Sequence, residues 1–383
     1  MKNKFKNFFF ILLIYLSIDF LVTNFFLKET EIWKSTEKVD HYWRIKSKIY
    51  HHDIMPNVEV VEPWQKFNKK LITNSIGFRD FSKKKILKEN LNQKRILLIG
   101  DSFIEGAGYD YEFTIGGLIQ DKVGKNIEVL NSAVGSYSPG IYYLKTKYYI
   151  DQGYKFDYAL IFLDLSDIVD EQYLKYNSDY SKIVNYYPQK PLHKKIFYGT
   201  GDFLTSNTLL FKFLLNLSDQ TEVIKKYIKL KYKASKEFKK SFFKTSQEDA
   251  LLLRMIIEDR GYWTMNEEKF SEVQEGLRKS KFFLEKLNNL LVENNVKTYL
   301  IVYPWPAQIV YGDFRHQVYW EKFSNDNNIN FVNLYDQFQG DDKREVILNN
   351  FIYGDIHWNK NGNLKILEGL SKKRVFEEIG SLK

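Results

Sequence analysis

Five short, nearly unbroken apolar runs punctuate the chain: Arg95–Ile99, Ile127–Leu130, Tyr158–Leu163, Thr298–Tyr303 and Asn330–Leu334. They lack the alternation of a half-exposed strand, which suits strands buried on both faces of a parallel sheet. Helix-period stretches lie between several of them, at Thr114–Val123, Ile141–Gln152 and Val273–Glu293. Strands alternating with helices predict an α/β domain, a doubly wound parallel sheet with right-handed crossovers, over residues 94–378. The gap at about 172–270 holds no strong strand and reads as a mostly helical insertion. Residues 28–93 form a polar, aromatic extension without a clear period, containing an ordered turn at Asn74–Asp80.

The N-terminus has a different pattern. Lys2, Lys4 and Lys6 precede an apolar run from Phe8 to Leu27, interrupted by Asp19 and Asn24. Twenty helical residues span about the thickness of a bilayer core, and basic residues ahead of such a run keep the tip in the cytoplasm. Residues 1–27 therefore predict a transmembrane anchor, with the rest of the chain outside the cytoplasmic membrane, periplasmic in a Gram-negative cell. The competing reading is a cleaved signal peptide. The end of the run has no Ala or Gly to make a small-x-small cleavage site, which favours an uncleaved anchor.

The net charge of +9 is compatible with attraction to anionic lipid or an acidic polymer, and also with a Lys-rich solvated surface. No nucleic-acid-binding motif accompanies it. Nine lysines between Lys225 and Lys244 alternate with Tyr, Ile, Leu and Phe. A solvated helix face is the simpler account, a membrane-surface helix the other. Cysteine is absent, which excludes disulfides, thiol catalysis and Cys-ligated metal.

Two short motifs carry the chemistry. Gly100-Asp101-Ser102 directly follows a buried strand and precedes a helix-prone segment. A serine there stands at the mouth of a parallel sheet, beside free backbone N–H groups of a helix N-terminus. Gly354-Asp355-Ile356-His357 lies after the last strand. A carboxylate two residues before a histidine can orient its imidazole, which can then accept a serine proton. Ser102 as nucleophile, His357 as general base and Asp355 as orienting acid follow. Other candidates stay structural. His51, His52 and Asp53 read as surface loop. Asp164, Asp167 and Asp170 read as local hydrogen bonding rather than a cation site. Arg79 reads as an anchor of its own loop, and Tyr303–Pro306 either walls the pocket or is a structural turn.

With a GDS block after the first strand and a D-x-H block near the C-terminus, the chain resembles the SGNH (GDSL) hydrolase superfamily over roughly 94–175 and 296–378. The resemblance implies a three-layer, flavodoxin-like fold and ester chemistry without cofactor or metal. Asn131-Ser132-Ala133-Val134-Gly135 matches the family's second block and implies that the Gly135 N–H, with that of Ser102, serves an oxyanion hole. The third block, usually G-x-N-D, here reads Leu163-Asp164-Leu165-Ser166-Asp167, which puts Ser166 where the oxyanion asparagine stands. The Asn74–Asp80 turn, the Tyr303–Pro306 segment and the N-terminal run resemble exported members that modify surface polysaccharides. The implied function is an esterase on an acylated carbohydrate. An O-acyltransferase sharing the acyl-enzyme, and an inactive glycan-binding scaffold, remain open alternatives.

Overall fold

A computed structural model describes residues 2–28, 30, 41–64, 67–90, 92–185, 203–204, 207–214, 251–252, 254–256, 259–265 and 267–380. The lysine-rich segment Lys225–Lys244 lies outside these residues, as does most of the expected helical insertion. The chain divides into two compact units. One comprises residues 1–41 and 188–239, the other 42–187 and 240–383.

In the first unit, α1 spans Lys2–Val22 and continues as a π-helical turn, Thr23–Leu27. Among the described residues, no helix is long and apolar enough to cross a membrane. The expected spanning anchor is not found among them. The stretch between Lys6 and Asp19 is only about 18 Å of α-helix, against a hydrocarbon core of about 30 Å. Asp19 is buried and accepts bonds from the Thr23 hydroxyl at 3.1 Å, Leu209 N–H at 2.9 Å and Leu210 N–H at 3.0 Å. It thus caps the helical turn at 209–214, which explains a carboxylate within an apolar sequence.

The second unit is built on a five-stranded sheet. In chain order its strands are β5 (Lys94–Ile99), β6 (Ile127–Asn131), β7 (Tyr158–Leu163), β10 (Lys297–Val302) and β11 (Asn330–Asn333). They lie side by side as β11-β10-β7-β5-β6, all parallel. The order reverses between β5 and β7, the point where crevices open at the carboxyl ends of such sheets. Every residue of β6 and β7 is buried, as the continuous apolar runs require. Helices between and after these strands include α2 (Ser102–Glu105), α3 (Ile115–Val123), α4 (Pro139–Asp151), α5 (Leu165–Tyr173), α6 (Gln274–Glu293), α7 (Pro306–Tyr311), α8 (Arg315–Asp326), α9 (Lys343–Asn350) and α10 (Lys360–Lys372). Helix α6 packs on α4 and α5, and α10 packs on α3.

The extension before β5 is more regular than its sequence suggests. It forms two antiparallel hairpins, β1 (Arg44–Ser47) with β2 (His51–Ile54) and β3 (Glu59–Trp64) with β4 (Phe67–Ile72). A bridge from the Arg79 N–H to the Asn131 carbonyl joins the turn that follows to the end of β6. Within the insertion, Lys175–Tyr176 (β8) and Ile183–Asn185 (β9) make a further short hairpin. A groove of about 850 Å³ is lined by Lys94, Arg95, Asp157 and Val296 at the amino ends of the strands. It lies at the opposite end of the sheet from Ser102.

Candidate active site

Ser102 is the first residue of α2, immediately after β5. Gly100 is obligatory in the turn between them, since a Cβ there would come within 2.5 Å of Ile104 Cγ1. Asp101 caps the helix by accepting the Phe103 N–H at 3.0 Å. Ser102 is half-buried, so its hydroxyl is reachable. Its Oγ lies 2.8 Å from His357 Nε2 and 3.2 Å from Asp101 Oδ2. One hydroxyl proton serves one acceptor at a time, and the shorter contact is to the histidine.

His357 sits in the loop between α9 and α10, held by the Ile352 N–H donating to its carbonyl and by the Phe351–Trp358 bridge. Its Nδ1 is 2.6 Å from Asp355 Oδ1, which also accepts the His357 backbone N–H at 3.2 Å. A proton on Nδ1 directed at the carboxylate leaves Nε2 as the acceptor facing Ser102. Burial works against ionisation of Asp355. The His357 contacts and the Trp64 hydrogen bond outweigh it and bring the carboxyl down to about 2. Phe103 and Trp64 flank the imidazole, with ring centroids 4.5 and 5.2 Å away.

Two of the three residues assigned to the oxyanion hole, Gly135 and Ser166, have other partners. Gly135 is adjacent to the nucleophile: a Cβ on it would lie 3.6 Å from Ser102 Cβ. Its N–H donates to Glu105 Oε2 at 2.8 Å, and its carbonyl is 2.8 Å from His52 Nε2. Ser166 is buried, and its hydroxyl donates to Asp164 Oδ1 at 2.7 Å, alongside its own N–H at 2.8 Å. The short serine side chain folds back onto the residue that caps α5.

Carboxylate oxygens of Asp101, Asp164 and Asp167 lie within 4.8 Å of one another, all buried. Asp170, named with this group from sequence, stands apart and meets Arg260 at 3.4 Å. Trp305 Nε1 donates to Asp164 at 2.6 Å, and the Tyr142 hydroxyl to Asp167 at 2.7 Å. Burial, then mutual repulsion, raises the proton affinity of Asp101 and Asp167 well above the usual range.

Several residues of the extension reach the site, and the sequence offered little sign of it. Trp64 Nε1 donates to Asp355 Oδ2 at 2.9 Å. Arg44 and Lys69 bind Glu105. His51 and His52, expected in a surface loop, lie in β2. His51 takes a φ of 79°, which turns the two Nδ1 atoms to within 2.7 Å, and His52 reaches Gly135. Burial, more than its neighbours, draws His52 down to about 4, so the ring is neutral at pH 7. Arg79 donates to the carbonyls of Glu105, Gly106 and Tyr109, so it braces the turn after the nucleophile rather than its own loop. Tyr303 and Trp305 are fully buried beneath the site, against Phe103. Only Glu105 had a local signal, being three residues beyond Ser102 on the same helical turn.

No protein-family model matches the sequence, and no curated protein does. Among solved structures, the chain is similar to a psychrotrophic esterase, EstA, from Pseudoalteromonas sp., at 12% identity over 73% of this chain and 98% of that one, with a TM-score of 0.34. It is also similar to a catalytic mutant of Axe2, an acetylxylan esterase from Geobacillus stearothermophilus, at 12% identity over 75% and 95%, with a TM-score of 0.36. A carbohydrate acetylesterase family member from Sinorhizobium meliloti is similar at 8% identity over 74% and 98%, with a TM-score of 0.35.

Proposed function

We propose that the protein is a serine esterase that cleaves acyl esters through Ser102, His357 and Asp355. One observation carries this: a buried imidazole with Asp355 on Nδ1 at 2.6 Å and a reachable serine hydroxyl on Nε2 at 2.8 Å. Ser102 Oγ attacks the acyl carbon while His357 Nε2 takes its proton. Asp355 stabilises the imidazolium and keeps its orientation. The C–O bond of the tetrahedral adduct then breaks, and the imidazolium proton passes to the leaving alkoxide. Water, deprotonated by His357, then attacks the acyl carbon; its bond to Ser102 Oγ breaks, the imidazolium proton returns to that oxygen, and the acyl group leaves as a carboxylic acid. A sugar hydroxyl in place of water makes the same acyl-enzyme an O-acyltransferase. An acylated carbohydrate as substrate follows from the sequence resemblance alone.

Ser102→Ala and His357→Ala should each abolish hydrolysis of p-nitrophenyl acetate in a protein with unchanged circular dichroism. Full activity in His357→Ala would overturn the assignment. A second reading, a glycan-binding scaffold without turnover, is favoured by the engagement of Gly135 N–H and the Ser166 hydroxyl with carboxylates. Binding of an acetylated glycan by a wild-type protein that neither turns it over nor reacts with a serine-directed phosphonate would select it.

We also infer that the sheet-bearing unit works outside the cytoplasmic membrane and is membrane-associated. Lys2, Lys4 and Lys6 ahead of a short apolar stretch have the arrangement of an export signal, and Phe10, Ile11, Phe25 and Phe26 are largely exposed in the first unit. Protease treatment of intact spheroplasts should digest the sheet-bearing unit, and its protection would refute the placement.

A further inference from the structure

Glu105 ends α2, three residues after the nucleophile, and is 2% exposed. Its Oε2 accepts the Gly135 N–H at 2.8 Å. A Cβ on Gly135 would lie 3.6 Å from both that oxygen and Ser102 Cβ. Carboxylate and nucleophile therefore border one small space over Gly135. If Ser102 attacks an ester, the carbonyl oxygen gathers negative charge there and needs donors within about 2.7–3.1 Å. The donor is in place, and a carboxylate is already on it.

The same carboxylate is anchored from its other side. Arg44 donates to Oε1 at 2.7 Å and to Oε2 at 3.1 Å, and Lys69 Nζ is 3.2 Å from Oε1. Both cations also meet Glu62, Arg44 at 2.9 Å and Lys69 at 3.0 Å. Burial would favour the neutral acid, but the charges of Arg44 and Lys69 prevail and hold Glu105 ionised. Gly135 is fixed through its carbonyl by His52. The partner able to yield is the carboxylate, because its charge-assisted bonds to Arg44 and Lys69 persist when it gives up the Gly135 N–H.

We propose that Glu105 is an anionic gate on the oxyanion site: at rest it accepts the Gly135 N–H, and an ester gains that donor only when the carboxylate draws back onto Arg44 and Lys69. The gate rests on the serine-esterase function proposed above. It accounts for an enzyme whose nucleophile and base are aligned while a stabilising donor is occupied. It also assigns the β1–β4 extension a role, since Arg44 and Lys69 come from β1 and β4.

The test uses the purified full-length protein and a p-nitrophenyl alkylphosphonate, whose phosphoryl oxygen occupies the oxyanion site once Ser102 is modified. Turnover of p-nitrophenyl acetate is measured alongside. Glu105→Gln removes the charge and keeps the size. Inactivation rate and kcat should rise about tenfold or more, within the roughly 10²–10³ that one oxyanion donor carries, with KM little changed. Arg44→Gln keeps the carboxylate and removes its firmest anchor, and kcat should fall about tenfold. The opposite signs are the signature, because a purely structural ion cluster would lower both rates. A folded Glu105→Gln that is no faster than wild type overturns the gate. If that variant does not fold, Arg44→Gln decides, and an unchanged or higher rate overturns it. Ser102 labelling in wild type without acceleration in Glu105→Gln removes the gate and leaves the esterase. A silent wild type with a reactive Glu105→Gln supports the gate. Silence in both removes the esterase function and the gate together.

Discussion

Asp355→Asn is the substitution whose outcome the surrounding contacts constrain most tightly. In the native site Oδ1 accepts the His357 backbone N–H and its Nδ1–H, while Oδ2 accepts Trp64 Nε1–H. These three described neighbours are donors, and an asparagine has one acceptor oxygen. If the amide oxygen faces His357, its NH2 meets the Trp64 N–H. If the oxygen faces Trp64, the NH2 meets the backbone N–H of His357 and imposes the wrong imidazole tautomer. Nε2 then carries the proton, and the histidine no longer accepts from Ser102. A buried donor left without an acceptor costs about 1–3 kcal/mol, so neither orientation is comfortable. Losing the charge and the tautomer at such a position typically lowers kcat about 10⁴-fold. The second variant makes this specific. Trp64→Phe removes one donor and frees the amide oxygen to turn towards His357. At about 1.4 kcal/mol per factor of ten, relief of one such contact returns roughly five- to a hundredfold. In the native background Trp64→Phe should instead lower kcat/KM modestly, since a useful bond to the carboxylate is lost. The assay is kcat/KM for p-nitrophenyl acetate across wild type, both single variants and the double. A double variant no faster than Asp355→Asn alone would mean that the Trp64 bond has no bearing on the tautomer.

Three further outcomes follow from the contacts. Ser166→Ala should lower kcat less than about tenfold, far from the roughly 10²–10³ of a lost oxyanion donor, because the hydroxyl is donated to Asp164; a loss of a hundredfold or more in steady-state turnover would put it back in the oxyanion site. Asp355 is depressed to about 2 in the folded protein, so its contribution, about 2 kcal/mol, is present above the unfolded pKa near 4 and is lost as pH falls towards 2. Urea unfolding at pH 6 and pH 3 should show the wild-type advantage over Asp355→Asn shrinking on acidification, and a constant difference would contradict this. Gly276→Ala should destabilise by about 1–3 kcal/mol, since its Cβ would come 2.1 Å from the Ile168 carbonyl oxygen where α6 crosses α5; an unchanged urea midpoint would show that the crossing gives way freely.

The five central strands were legible because burial on both faces demands continuous apolar runs, and Ile127–Leu130 or Tyr158–Leu163 admit little else at that length. Their order, with β5 between β6 and β7, is set by the folded chain and not by the runs, since hydrophobicity says nothing about neighbours. Ser102, Asp355 and His357 were legible because each motif is local: a glycine turn before a nucleophile, and a carboxylate two residues from an imidazole. That the two motifs meet at 2.8 Å is a property of the folded sheet. The sequence could not reveal the partners of Gly135 and Ser166. An N–H or a hydroxyl takes the nearest acceptor, and those acceptors, Glu105 and Asp164, are selected by three-dimensional proximity. The extension was least legible. Its hairpins are short and half exposed, so their periodicity is weak, yet they place Trp64 on Asp355 and Arg44 and Lys69 on Glu105. Asp19 shows the same division. The sequence shows an acid within an apolar helix, and tertiary structure alone supplies the N–H groups at Leu209 and Leu210 that satisfy it. Local chemistry follows from residue order, whereas electrostatic partnership across long sequence separations depends on distances that only the folded chain sets.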